Sequence, residues 1–177
     1  APDEKLGEEG YTMEIGFDRI DVASVSTTGN MYGMQTILQM VTLDGEGFVT
    51  GMMRDYPRFP VRGLLLDMAR KPIAMTMVGY MARTMRYYKM NDLQLHLNDN
   101  YIWLEDYGTY ANEDNGFNAY EAFRLESSLT NDAGEDPTAE DYYVTKAEMS
   151  EFIQTQRALG MNIVPENDHT DDHSVPA

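Results

Sequence analysis

The chain has 177 residues, room for one domain or for parts of two, and 30 Asp plus Glu against 13 Lys plus Arg leave a formal net charge of −17. Such a surface repels phosphate backbones and anionic membrane faces, so neither nucleic acid nor a membrane is an expected partner, and no run approaches the roughly 20 apolar residues of a membrane span. The absence of cysteine excludes disulfides, thiolate chemistry and cysteine-held metals.

The opening "APDEKLGEEG" has neither a basic n-region nor an apolar h-region, so no signal peptide is expected within it. It also lacks an initial Met, which reads as a chain cut from something longer. Residues 11–24 alternate and predict two short strands joined around Asp18 and Arg19, with Tyr11, Met13, Ile15 and Phe17 on one face. "STTGNMYGMQTILQMV" predicts a helix capped by Thr27 or Thr28, with Met31, Met34, Ile37, Leu38 and Val41 at helical spacing. Gly29 and Gly33 are poor helix residues unless the helix packs closely on a sheet. "GFVTGMMRD" predicts another strand. The two prolines of "YPRFPVRG" then mark an extended linker. A domain boundary follows near residue 57, dividing 1–56 from 57–177.

Beyond it the pattern changes. "VRGLLLDMAR" is a nearly continuous apolar run, expected of a parallel strand buried on both faces. Pro72 opens a helical stretch to about residue 89, with Ile73, Met77, Met81 and Tyr88 among its apolar positions. In "DLQLHLNDN", Leu93, Leu95 and Leu97 share one face of a strand and Gln94, His96 and Asn98 the other. A polar, aromatic-dotted excursion occupies 101–142. Thr145 and Glu148 form a T-x-x-E capping box for a helix over about 145–159, which Gly160 ends. "MNIVPEND" is a third strand, and the β-α-β-α-β order predicts a parallel α/β layer.

Polar groups collect after each of the three strands: Asp67 and Arg70, then Asp99, then Glu166 and Asp168. Active sites of parallel (β/α) barrels occupy that face. Asp99, between Asn98 and Asn100 and close before Tyr101 and Trp103, suits a capped strand end and equally a carboxylate beside aromatics that stack on sugar rings. Arg62 suits pairing with a structural carboxylate or, alternatively, a planar grip on substrate oxygens. His96, alternating with leucines, reads as a hydrogen-bonded core histidine. His169 and His173 sit four apart among Asp168, Asp171 and Asp172. That spacing faces two histidines together only on a helix, so a zinc site is weighed and no metal or other cofactor is expected.

"DYPRFPVRGLLLDMARK", "YKMNDLQLHLNDNYIWLEDY" and "LGMNIVPEND" together resemble glycoside hydrolase family 20, the β-N-acetylhexosaminidases, and "GNMYGMQTILQM" resembles the end of the small α/β domain before the barrel in that family. The "HLNDNYI…AFRLES" style resembles the lacto-N-biosidase-like bacterial members. The resemblance implies the first three strands of a (β/α)8 TIM barrel preceded by the end of that small domain. It implies Arg62 as the arginine binding hydroxyls of the terminal sugar, with Trp103, Glu166 and Asp168 lining the substrate. Asp99 matches the acid that supports the catalytic glutamate through a histidine, which His173 supplies if one residue is inserted, with His169 as the alternative. The family reads E-x-D-x-P-x-H after the third strand, whereas "HTDDHS" here lacks the proline.

The implied chemistry is retaining and substrate-assisted, the 2-acetamido oxygen attacking the anomeric carbon while a glutamate protonates the leaving oxygen. The Asp-Glu pair for that step follows a fourth strand, and neither "GEDP" nor "LEDY" substitutes for it. The expectation is therefore a fragment of a secreted or cell-surface bacterial hydrolase acting on N-acetylhexosamine-containing glycans, inactive alone. The rival expectations are a carbohydrate-binding remnant and a metal-binding acidic module.

Overall fold

The alternation at Tyr11, Met13 and Ile15 becomes a strand, β1 (Tyr11–Ile15), whose three residues are buried. The computed structural model describes residues 4–44, 47–99, 118, 122–130, 134 and 136–167. β1 pairs antiparallel with β2 (Ile20–Ala23), Ile15 opposite Ile20, and with β3 (Gly51–Asp55), Tyr11 opposite Asp55. The sheet order is β2-β1-β3. Phe17, expected on the buried face, lies in the turn between β1 and β2 and is fully exposed. The strand pattern "GFVTGMMRD" yields only its second half.

Helix α1 (Thr27–Asp44) covers this sheet, but with a different face and cap from those expected. The cap is Ser26, whose Oγ accepts from the Gly29 amide at 3.0 Å. Gly29, Tyr32, Gly33 and Thr36 are buried, whereas Met34, Leu38 and Val41 are exposed. The glycines explain it. A Cβ on Gly33 would stand 2.4 Å from Val22 Cγ1 and 3.2 Å from the Tyr11 ring, and one on Gly29 would meet Ser24 Oγ at 2.0 Å. Backbone approaches the sheet there; Tyr32, Ile37 and Met40 pack on it, while Met34, Leu38 and Val41 turn away.

The second layer is parallel. β4 (Gly63–Asp67), β5 (Asp92–His96) and β6 (Asn162–Glu166) form a sheet in the order β4-β5-β6. Helix α2 (Met75–Tyr87) joins the first two, and α3 (Lys146–Ala158) precedes the third. One face carries the core: Leu93, Leu95, Leu97 and Ile163 pack with Val78, Ala82 and Met85 of α2 and Met149 of α3. α2 begins at Met75 rather than Pro72, without a side-chain cap, and Met77 and Tyr88 are exposed. The capping box of α3 forms as expected, and Gly160 follows it with φ +75°.

β4 departs from the expectation of burial on both faces. Leu65 is 54% exposed; its register partner is Gln94, whose partner on β6, Val164, is also exposed. Among the described residues the face bearing this row is uncovered. No helix of the described residues is long and apolar enough to cross a membrane.

Candidate active site

The register places three polar side chains side by side. Asp67 is the partner of His96 across β4 and β5, and His96 is the partner of Glu166 across β5 and β6. In-register parallel strands direct all three to one face, opposite the leucine core. The ladder continues one step further, with Met68 N donating to His96 O at 3.0 Å and Leu97 N to Glu166 O at 2.9 Å.

His96 is the hub. Its Nε2 lies 2.8 Å from Asp99 Oδ2 and its Nδ1 3.2 Å from Glu166 Oε2. Gln94 Nε2 donates to the same Glu166 oxygen at 2.7 Å. The Arg70 guanidinium pairs with Asp67 Oδ2 at 2.9 Å and also with Asp99 Oδ2. Asp67 Oδ1 accepts from the amides of Ala69 and Arg70 at 3.0 and 3.1 Å. Burial, which disfavours charge, is outweighed at His96 by hydrogen bonds to Asp99 and Glu166, so its pKa is raised. At Asp67 burial works upward, but hydrogen bonds from the Arg70 amide and guanidinium hold it below the usual carboxylate range.

Residues 122–127 are tied to the strand ends by Arg124, which is fully buried. Its Nε donates to Ala69 O at 3.1 Å, its guanidinium pairs with Asp141, and its amide donates to Leu97 O at 2.8 Å. It thus braces the ends of β4 and β5 beside Arg70 and Asp99. The sequence reading passed over Arg124. Its only signal there is an arginine between the apolar Phe123 and Leu125.

Arg62 is elsewhere. It precedes β4, so five residues of extended chain, roughly 16 Å, separate it from Asp67. Its guanidinium takes both oxygens of Glu9 at 3.0 Å and Tyr32 Oη at 3.1 Å, and donates to the carbonyls of Phe59 at 2.7 Å and Lys89 at 2.7 Å. Asn91 completes the group, accepting from the Arg62 amide at 2.8 Å and donating to Glu9 at 3.1 Å. Of the two sequence readings, this geometry is pairing with a structural carboxylate. Burial and the Glu9 charge push the Tyr32 phenol up to about 12.

Beside it Lys89 takes a left-handed φ of 57°, which usually falls to glycine. Its Nζ donates to Asp55 at 2.7 Å and to Tyr11 Oη at 3.0 Å, and Tyr11 reaches Thr36 at 2.6 Å. These two groups tie the antiparallel sheet and α1 to the amino ends of β4 and β5. The structure therefore brings Asp99 and Glu166 together and leaves Arg62 apart. Trp103, Asp168, His169 and His173 lie outside the described residues. Among the described residues no group of three or more acidic, histidine or cysteine side chains is arranged to hold a metal.

A parallel sheet with a carboxylate-rich row at its carboxyl ends suits a polar-ligand site, and similarity to known proteins specifies the family. Residues 59–173 match the model described as glycosyl hydrolase family 20, catalytic domain, and residues 1–56 match that family's domain 2. The chain belongs to glycosyl hydrolase family 20. It is 31% identical over 166 residues to a beta-hexosaminidase of Akkermansia muciniphila, covering 92% of this chain and 32% of that protein. It is 29% identical to the N,N'-diacetylchitobiase of Vibrio harveyi, covering 93% of this chain and 19% of that one. A crystal structure of a beta-N-acetylhexosaminidase superposes with a TM-score of 0.67 at 25% identity, covering 94% of this chain and 34% of that one. The chain thus spans about a third or less of the length of these relatives.

Proposed function

We propose that this chain is the front of the catalytic region of a β-N-acetylhexosaminidase that removes terminal N-acetylhexosamine, or a lacto-N-biose unit, from glycans by the substrate-assisted retaining route. On this reading residues 1–56 end the small α/β domain, and 57–177 begin a (β/α)8 barrel whose lumen face bears Leu65, Gln94 and Val164. The whole protein works outside the cell or at its surface.

The observation that carries the proposal is the joined row Asp67–Arg70–Asp99–His96–Glu166 at the carboxyl ends of three in-register parallel strands. Asp99 is the acid of the relay to the general acid. Arg70, at the carboxyl end, replaces Arg62 as the arginine that grips sugar hydroxyls. Glu166 holds the hub from the third strand, and Trp103, Asp168 and His173 complete the cleft. The attacking nucleophile is the substrate's own acetamido oxygen, and the Asp-Glu pair that orients it and protonates the leaving oxygen belongs to a further strand of the whole protein.

Two measurements test this together: turnover of an aryl N-acetyl-β-glucosaminide, and titration with N-acetylglucosamine followed by saturation-transfer NMR. The 177-residue chain binds the sugar without turnover, and a protein whose reading frame continues past Ala177 into a strand and an Asp-Glu pair hydrolyses the glycoside. A stop at that point with sugar binding intact makes the chain a carbohydrate-binding remnant. No sugar binding by either protein sinks the proposal.

A further inference from the structure

We infer that His96 is a positioning residue carried as an imidazolium, donating one ring N–H to Asp99 and the other to Glu166 and so fixing the spacing of the two carboxylates.

The argument is one of donors and acceptors. A neutral imidazole has a single N–H and can satisfy only one carboxylate oxygen, whereas both ring nitrogens of His96 face such oxygens, at 2.8 and 3.2 Å. The alternative is a neutral ring accepting a proton from one of the acids. At Asp99 the oxygen facing Nε2 also receives the Arg70 guanidinium, a group with donors only, which favours the bare carboxylate. At Glu166 the oxygen facing Nδ1 also accepts from Gln94. Both acids are thus arranged as acceptors, and the protons belong to the ring.

Charge balance runs the same way. Among the described residues the groups facing the ring are Asp67 and Arg70 from β4 and the residues after it, Asp99 after β5, and Glu166 on β6. These are three carboxylates against one guanidinium, and a cationic His96 halves the excess. The side chain itself is only 9% exposed, so water does little of this work. Hydrogen bonds to Asp99 and Glu166 overcome the burial that would otherwise discharge it.

For the role of His96 in sugar binding the inference rests on the proposed reading of this site; for its charge state it does not. The test begins with nitrogen-15 NMR of the histidine rings in the unmodified chain. At pH 7 both nitrogens of His96 carry protons, and the titration midpoint lies above that of a free histidine, about 6.5. A single protonated nitrogen at pH 7 overturns the inference. Asp99→Asn lowers the midpoint, and an unchanged midpoint likewise overturns it.

The positioning role is read from binding. N-acetylglucosamine affinity falls about tenfold, the loss of one charge-assisted hydrogen bond, as pH rises through the measured His96 midpoint. His96→Gln removes that pH dependence. Affinity that does not change across the midpoint refutes positioning, and failure of His96→Gln to fold leaves the wild-type profile and Asp99→Asn to decide. Absence of sugar binding at every pH sinks the sugar site instead, with the nitrogen shifts still deciding the charge of the ring.

Discussion

At the amino end of β4, Arg62 meets both oxygens of Glu9, a tyrosine hydroxyl and several carbonyls, and its side chain is 19% exposed. At the carboxyl end, Arg70 meets Asp67 and Asp99 with twice the exposure, 38%. Both are arginines held by carboxylates. They differ in what lies across from them. Arg62 faces Glu9 and α1 and its fork is taken up by them and by backbone carbonyls, whereas Arg70 shares with His96 and Glu166 a face that is uncovered among the described residues. An ion pair therefore marks a site only where the surrounding face remains accessible and other titratable groups converge on it.

The largest test of this contrast is Arg62→Met. It leaves Glu9 and Tyr32 facing one another without their cation and costs about 3 kcal/mol, read as a lower midpoint in urea, while N-acetylglucosamine binding by the folded fraction is unchanged. A loss of sugar affinity without loss of stability would reverse the assignment of the two arginines. Arg70→Met behaves oppositely. Sugar affinity falls about tenfold, one charge-assisted hydrogen bond, and stability changes by under ~1 kcal/mol because the pair is partly exposed.

Removing the cap of α3 serves as the control. Thr145→Ala costs about 1 kcal/mol and alters neither end, so a change in sugar binding there would mean that general loosening, not local chemistry, moves the readout. The smallest effect is a pH response in which His96 gives the carboxyl end an alkaline limb beside the acid one that Asp67 gives it. His96 has a raised folded pKa, so its contribution is complete below the unfolded value near 6.5 and is lost as pH rises through the folded one. Asp55, in the amino-end group, is lowered: burial opposes its charge, but hydrogen bonds from Lys89 and Tyr11 prevail. Its contribution is present above the ordinary carboxylate value and is lost as pH falls through the folded one. Mild alkali thus loosens the carboxyl end through His96, whereas acid loosens both, through Asp67 at the carboxyl end and Asp55 at the amino end, so protection of the parallel sheet against hydrogen exchange falls off on both sides of neutrality.

Much of the architecture could be read from local chemistry. The leucines of β5 alternate because one face is core, and Thr145, Glu148 and Gly160 carry the start and stop of α3 in their own side chains and backbone. α1 misled because apolar spacing counts methyl groups and cannot see that two glycines admit a closer approach than any methionine. β4 misled because its leucines serve two faces, of which one is uncovered among the described residues. The different surroundings of Arg62 and Arg70 were within reach. Arg62 precedes its strand and Arg70 follows it, and in a parallel layer chemistry gathers where strands end. His96 looked like core and is buried, but burial and participation in a site are not alternatives.

The register that joins Asp67, His96 and Glu166 also limits how this protein can change. Side chains on a strand alternate, so deleting one residue inside β5 would rotate Leu95 or Leu97 into the polar row and drive His96 against α2 and α3. No neighbouring substitution compensates for that. The row tolerates exchange of one side chain for another but not a change in length, so variation in chain length belongs to the connections, where an added residue leaves every strand partner in place.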